Sequence, residues 1–194
     1  MKDYITQLSK NKENFVKKHP AKDPKFSINS SKGQESKVLW IGCADSCVSP
    51  NEIKKPERDE IFVHRNIADL VIQTDMNMRS VLQYAVEVLN VEHVIVSEHY
   101  GCGGAKAAIG KEQYNLIDNW LWELKDTQNF YWKQLEVLNE AERFSRLVEL
   151  SVIEQVNNLG KTNSVQTTWG QRKSPWLHAW VHNTGAGYVK EQAS

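Results

Sequence analysis

The chain predicts an α/β fold with a mostly parallel central sheet flanked by helices. Three observations lead there. Short, continuously apolar runs, Val38-Leu39-Trp40-Ile41-Gly42, Ile61-Phe62-Val63 and Val91 to Ser97, read as strands buried on both faces. Between the last two, Met76 to Asn90 carries Met78, Val81, Leu82, Ala85 and Leu89 at helical spacing. Strand, helix and strand in alternation is the signature of parallel strands joined by right-handed crossovers.

The elements follow in order. Residues 1–19 read as an amphipathic helix, with Tyr4, Ile5, Leu8, Phe15 and Val16 on one face and lysines opposite. His19-Pro20 ends it, and residues 21–36 are polar and read as irregular chain. After the third strand, Gly103-Gly104 open a helix near Ala105. Leu116, Ile117, Trp120, Leu121 and Leu124 form one helical stripe, and Phe144, Leu147, Val148 and Leu150 begin another that runs to Val156. Gly160 suits the position just past a helix end. Val165 to Trp169 reads as a strand, and Trp176 to Val181 as the last one. No repeat or linker divides the chain, so residues 1–194 are expected to be one domain with residues 1–20 as a helical arm.

Bulk composition narrows the function classes. The formal net charge is zero, which argues against a nucleic-acid or membrane partner drawn by charge. No run approaches the roughly 20 apolar residues of a membrane helix, and no signal-peptide pattern opens the chain. Three cysteines are too few for a disulfide framework and suit an intracellular metal site, which makes the cytoplasm the expected compartment. Seven tryptophans suit core or subunit-interface packing, so an oligomer is compatible with the composition.

The chemistry concentrates in Cys43-Ala44-Asp45 and His99-Tyr100-Gly101-Cys102, each at the end of an apolar run. A lone buried Cys is usually a small hydrophobe, and a lone His after a strand is usually just hydrogen-bonded. Jointly, two thiolates, one imidazole and one carboxylate are a tetrahedral ligand set for zinc. Both motif halves fall at carboxyl ends of strands, where open α/β sheets build their sites.

These residues carry a resemblance to the β-class carbonic anhydrases. Its motifs are Gly42-Cys43-Ala44-Asp45-Ser46, His64-Arg65-Asn66-Ile67-Ala68 and His99-Tyr100-Gly101-Cys102-Gly103-Gly104, with Gln34 at the family's spacing before the first Cys. The match runs in order from about residue 34 to the end of the chain. The resemblance implies an α/β domain with an added antiparallel edge strand and zinc-dependent, reversible hydration of carbon dioxide to bicarbonate. It also implies a homodimer or homotetramer, with the N-terminal arm embracing a neighbour. Cys43, His99 and Cys102 would ligate zinc. Asp45 would accept a hydrogen bond from the nucleophile, or bind zinc itself in a closed state. Gln34 and the Gly103 N–H would hold substrate oxygens. Phe62, Ile67 and Tyr84 would line a small apolar pocket, although each also suits an ordinary core position.

The sequence departs from the family at informative places. The family motif is Cys-x-Asp-x-Arg, and here Cys47 replaces the arginine whose guanidinium grips the aspartate and draws it off the metal. A thiol cannot form that bidentate pair. The expected consequence is a closed site with Asp45 on the metal, or weak, pH-gated activity. Cys43 and Cys47, with three residues between them, also have a spacing compatible with two zinc thiolates, and Cys47 equally suits a free buried thiol. Glu98 stands where the family has Gly, Asp69 where it has Asn, Ser151 where many members have Asn, Ala179 where Gly is common, and His182-Asn183 where Tyr-Asp is common. A charged Glu98 beside the ligand His99 requires solvent or a partner. A catalytically inactive zinc-binding relative with a regulatory or interaction role is the alternative; thiol-redox chemistry at Cys47 is disfavoured because no Cys-x-x-Cys pair exists. Cys47→Arg is expected to raise the carbon dioxide hydration rate of the zinc-loaded protein in a stopped-flow assay. An unchanged rate at full zinc content and intact folding would refute this account of the missing cation.

Overall fold

A computed structural model of the chain describes residues 5–11, 14, 36–46, 48–50 and 61–192. Gln34, Cys47, the His19-Pro20 break and the polar segment 21–35 lie outside the described residues. Packing divides the chain into residues 1–35 and residues 36–194. In the first unit, residues 5–11 and 14 are helical, and Ile5 and Leu8 are exposed. Tyr4, Phe15 and Val16 lie outside the described residues.

The second unit is organised by five strands: β1 (Val38–Cys43), β2 (Ile61–Asn66), β3 (His93–His99), β4 (Trp176–Asn183) and β5 (Tyr188–Gln192). Their order is β2-β1-β3-β4-β5. The first four are parallel, and β5 runs antiparallel along β4. This is the mixed, mostly parallel sheet expected of the sequence. Alternation along the strands sends Leu39, Ile41 and Cys43 of β1, Val94 and Val96 of β3, and Ala179 and Val181 of β4 into one buried core. On the opposite pleat Trp40 packs edge-on against Trp180, their ring centroids 5.9 Å apart.

Helices complete the layers: α1 (Met76–Gln83), α2 (Gly103–Ile109), α3 (Leu116–Trp120), α4 (Trp122–Phe130), α5 (Trp132–Leu135), α6 (Glu140–Gly160) and α7 (Asn163–Gln171). The Asp75 side chain caps α1 by accepting from the Asn77 N–H at 2.9 Å. The helix then widens into a π turn over Tyr84–Val88, closed by the Leu89 N–H donating to the Tyr84 carbonyl at 3.0 Å. A capping box of Asn139 and Glu142 starts α6, which packs on β3 and β4 and carries Leu147, Val148, Val152 and Val156 into the interior.

Three expectations need correcting. Val165 to Trp169 is helical, within α7. Thr162 caps that helix at the Val165 N–H, and the buried residues Val165 and Thr168 recur at a spacing of three, which is a helical period. The final strand is β5, whose exposed Tyr188, Lys190 and Glu191 mark an edge strand and conceal it from an apolar pattern search. Gly160 lies within the last turn of α6; Lys161, in a right-handed conformation, is the residue that ends the helix.

Two polar anchors position the regions that flank the carboxyl ends of the strands. Arg65 at the end of β2 donates from Nη1 to the carbonyls of Cys43 (2.8 Å) and Ser46 (3.1 Å), and from Nη2 to the carbonyl of Val48 (2.6 Å). The loop after β1 is thus wrapped around one guanidinium. Glu149 of α6 accepts from Tyr100 Oη (2.6 Å), Lys190 Nζ (2.8 Å) and Arg146 Nη1 (2.9 Å), joining the loop after β3 and the edge strand to the long helix. Burial pushes the Glu149 carboxyl up, but the hydrogen bonds from Lys190, Tyr100 and Arg146 outweigh it and hold the group below the usual range.

Arg65→Lys preserves charge but cannot span three carbonyls, so a loss of about 1–3 kcal/mol is expected in denaturant unfolding. For Glu149, the unfolded chain binds its proton more readily than the folded one. Its stabilisation is therefore complete above the unfolded carboxyl pKa and is lost as pH falls through the lower folded value. Glu149→Gln should cost on the order of 1 kcal/mol at neutral pH and flatten this part of the acid limb in urea titrations run across pH.

Candidate metal centre

The site lies where β1 and β3 end. Each strand delivers one half of it: Cys43 is the last residue of β1, and His99 is the last of β3, with Cys102 just before α2. Cys43, Cys102 and His99 are all buried. Their ligand atoms, with a carboxylate oxygen of Glu98, fall within 4.8 Å of one another. The three ligands read from the sequence are therefore brought together.

The sulfur spacing is informative. Cys43 Sγ and Cys102 Sγ are 3.7 Å apart. Two sulfurs on a tetrahedral centre with bonds of about 2.3 Å would be separated by about 3.8 Å. The Asp45 N–H (3.4 Å) and the Ala68 N–H (3.3 Å) both point at Cys43 Sγ, as donors to a thiolate do. A hydrogen bond from the Cys102 thiol holds the Cys43 thiol down to about 4, against the opposing effect of burial, with His99 and the two backbone donors assisting. Cys102 is pushed well up in turn, first because its proton serves Cys43 and then by burial. Burial lowers the His99 imidazole, but the neighbouring Cys43 sulfur and the Glu98 charge raise it above the ordinary value. His99 Nε2 and Glu98 Oε2 are buried without a hydrogen-bond partner. A dication on the two sulfurs and the imidazole would relieve the thiolate repulsion and satisfy the orphaned imidazole nitrogen, so the residues fit zinc.

The turn after β2 closes the floor. Ala68 (φ 62°) and Asp69 (φ 41°) both adopt left-handed backbone, an unfavourable conformation for residues other than glycine. That turn aims the Ala68 N–H at Cys43 and buries Asp69 completely. A Cβ on Gly104 would come within 3.0 Å of both Ala68 Cβ and Ile67 Cγ2, so glycine is what lets α2 approach.

Asp45 is outside this group of four donors. It is exposed, and its Oδ2 accepts from the Gly103 N–H at 2.8 Å, at the positive end of α2. Arg65, with its bonds to the loop carbonyls, forms no ion pair with Asp45 among the described residues. The Gly103 N–H, expected to meet a substrate oxygen, is directed at Asp45 instead. Ile67 lines a cavity of about 430 Å³ together with Ala44, Asp45, Gly104, Ala107 and Ile117. Phe62 and Tyr84 lie outside that lining and stack on each other at 5.9 Å, with Tyr84 half exposed. Gln34 and Cys47 lie outside the described residues, so neither joins this description.

Glu98 is the donor that sequence reasoning did not assign. Its signal was the charge beside His99, but which way it points follows from strand register. Gly42 pairs with Ser97 across the parallel β1–β3 ladder. One step further sets Cys43 beside Glu98 on the same pleat. Burial raises the Glu98 carboxyl above its usual range, and burial together with the Glu98 charge raises Asp69 well above its own.

Comparison with known proteins identifies the family. A family model described as carbonic anhydrase matches residues 38–189. A carbonic anhydrase of Emericella nidulans is 40% identical over 170 residues, covering 87% of this chain and 75% of that protein. One from Candida albicans is 31% identical over 179 residues, covering 90% of this chain, which spans only 62% of that relative. Among solved structures, one of the tetrameric β-carbonic anhydrases of Sordaria macrospora superposes with a TM-score of 0.91 at 30% identity, over 100% of this chain and 98% of that one. The β-carbonic anhydrase CafA of Aspergillus fumigatus gives a TM-score of 0.89 at 30% identity, over 98% and 90%. With the family model spanning the sheet from β1 into β5 and a relative at this level of identity, the chain belongs to the carbonic anhydrase family.

Proposed function

We propose that this chain catalyses zinc-dependent, reversible hydration of carbon dioxide to bicarbonate, with weak activity that rises toward alkaline pH. The observation that carries the reading is the convergence of Cys43, His99 and Cys102 at two strand ends, beside an Asp45 carboxylate tethered outside the donor group. Cys43, His99 and Cys102 would hold the metal. When bound, zinc would supply the Lewis acidity that makes water nucleophilic near neutral pH. Two thiolates neutralise more of the metal's charge than imidazoles would, which is why the activity should lean toward higher pH.

The protein's own groups would do the rest. The Gly103 N–H keeps Asp45 Oδ2 at the cavity mouth, where the carboxylate can accept a hydrogen bond and orient an attacking water. Ile67, Ala44, Ala107 and Ile117 offer carbon dioxide, which is small and apolar, an apolar wall. A neutral N–H is a weaker tether for Asp45 than a guanidinium fork, which supports the expectation of low activity. The functional unit is proposed to be a homodimer or homotetramer in the cytoplasm. An apolar hollow of about 1010 Å³ in which Met76 and Leu116 are 73% and 81% exposed supports an oligomer, as does the description of the Sordaria relatives as tetrameric.

A second reading, a non-catalytic zinc protein on the same scaffold, is favoured by one observation: Glu98 supplies a fourth donor beside the other three. Stopped-flow hydration between about pH 7 and pH 9, with zinc content measured on the same sample, separates the two. The expected result is a rate above buffer that climbs with pH and disappears when a chelator strips the metal. A flat trace at full zinc occupancy would establish the second reading instead.

A further inference from the structure

We infer that Glu98 is the fourth ligand of the metal held by Cys43, His99 and Cys102, so that the resting centre is a closed site of two thiolates, one imidazole and one carboxylate. The inference rests on the proposed zinc binding and describes its resting state: hydration requires Glu98 to leave the metal for water, and a Glu98 that stays makes the centre the non-catalytic one. Register and pleat place Glu98 beside Cys43, in line with Val94 and Val96 on β3 and with Leu39 and Ile41 on β1. The side chain is completely buried. Its Oε1 accepts from the His99 N–H at 3.0 Å, which curls the carboxylate back toward the strand end. Its Oε2 has no hydrogen-bond partner, and neither does His99 Nε2. A carboxylate is rarely enclosed in this way unless paired or bound to a metal. These four donors are a complete tetrahedral set for a zinc or cobalt dication.

The competing carboxylates are placed differently. Asp45 is exposed and its Oδ2 is engaged by the Gly103 N–H. Asp69 is completely buried, with neither oxygen hydrogen-bonded in ordinary geometry, and it lies close enough to Glu98 for each carboxyl to bias the other. That is where an outer partner supporting a ligating carboxylate would sit. Glu98 and Asp69, two scattered departures in the sequence, are thus neighbours, and both face the same buried space as Cys43.

The test uses the full chain with Co2+ as the optical probe and Zn2+ affinity from chelator competition. Glu98→Gln keeps the shape, and Glu98→Gly installs the family's usual residue, so at least one variant should fold by circular dichroism. Both are expected to weaken Zn2+ binding at least as much as the roughly 10–100-fold typical of losing an outer partner, and to shift the Co2+ d–d bands. Asp45→Asn is expected to leave affinity and bands as in the wild type. Wild-type affinity and bands in both Glu98 variants, or the shift appearing in Asp45→Asn instead, would overturn Glu98 ligation. If Cys43→Ser still abolishes binding in that case, the zinc reading survives alone. Absence of metal uptake and of a thiolate-to-Co2+ band in the wild type would overturn both.

Discussion

The site is governed by the cost of enclosing negative charge. Cys43, Glu98, His99 and Cys102 meet at the carboxyl ends of β1 and β3, with Asp69 buried in the turn after β2. Dry surroundings penalise every ionised group: burial raises the Asp69 and Glu98 carboxyls, and Cys102 is pushed up by its bond to Cys43 and by burial. A bound dication offsets that cost with one strongly attractive centre.

The rest of the fold supplies what that cluster needs. Parallel register between β1 and β3 sets Cys43 and Glu98 side by side and brings His99 to the same edge of the sheet. The left-handed Ala68-Asp69 turn donates a backbone N–H to Cys43 while burying an acid below it. The close approach of α2 at Gly104 brings Cys102 to 3.7 Å from Cys43. Arg65 gathers the carbonyls of Cys43, Ser46 and Val48, on both sides of Asp45 in the sequence. Each contact is modest, but together they gather the four donor atoms within 4.8 Å of one another.

The acidic side chains around the site are held in different ways. Glu98 and Asp69 are completely buried, whereas Asp45 is exposed. Asp45 is found on a backbone N–H and Glu98 among the four clustered donors, a carboxylate that a Gly at 98 could not provide. The carbonic anhydrase fold is retained around them.

Much of this was legible in the amino-acid sequence. Continuous apolar runs identified β1 and β3, because a central strand buried on both faces has no polar side to interrupt it, and shorter apolar runs marked β2, at the sheet edge, and β4. The grouping of Cys43, His99 and Cys102 was recognisable because thiol and imidazole at strand ends have few other uses in that combination. The edge strand β5 was hidden by its solvent-facing charges, and α7, which Thr162 caps, by the β-branched residues in its sequence. Glu98 and Asp69 were visible only as isolated oddities, twenty-nine residues apart (98 minus 69). That they face each other, and that Glu98 rather than Asp45 enters the donor group, was decided by tertiary structure alone. Which pleat a strand residue occupies against its neighbour, and which backbone N–H a carboxylate finds, depend on inter-strand register and helix approach, quantities that no local pattern of residues encodes.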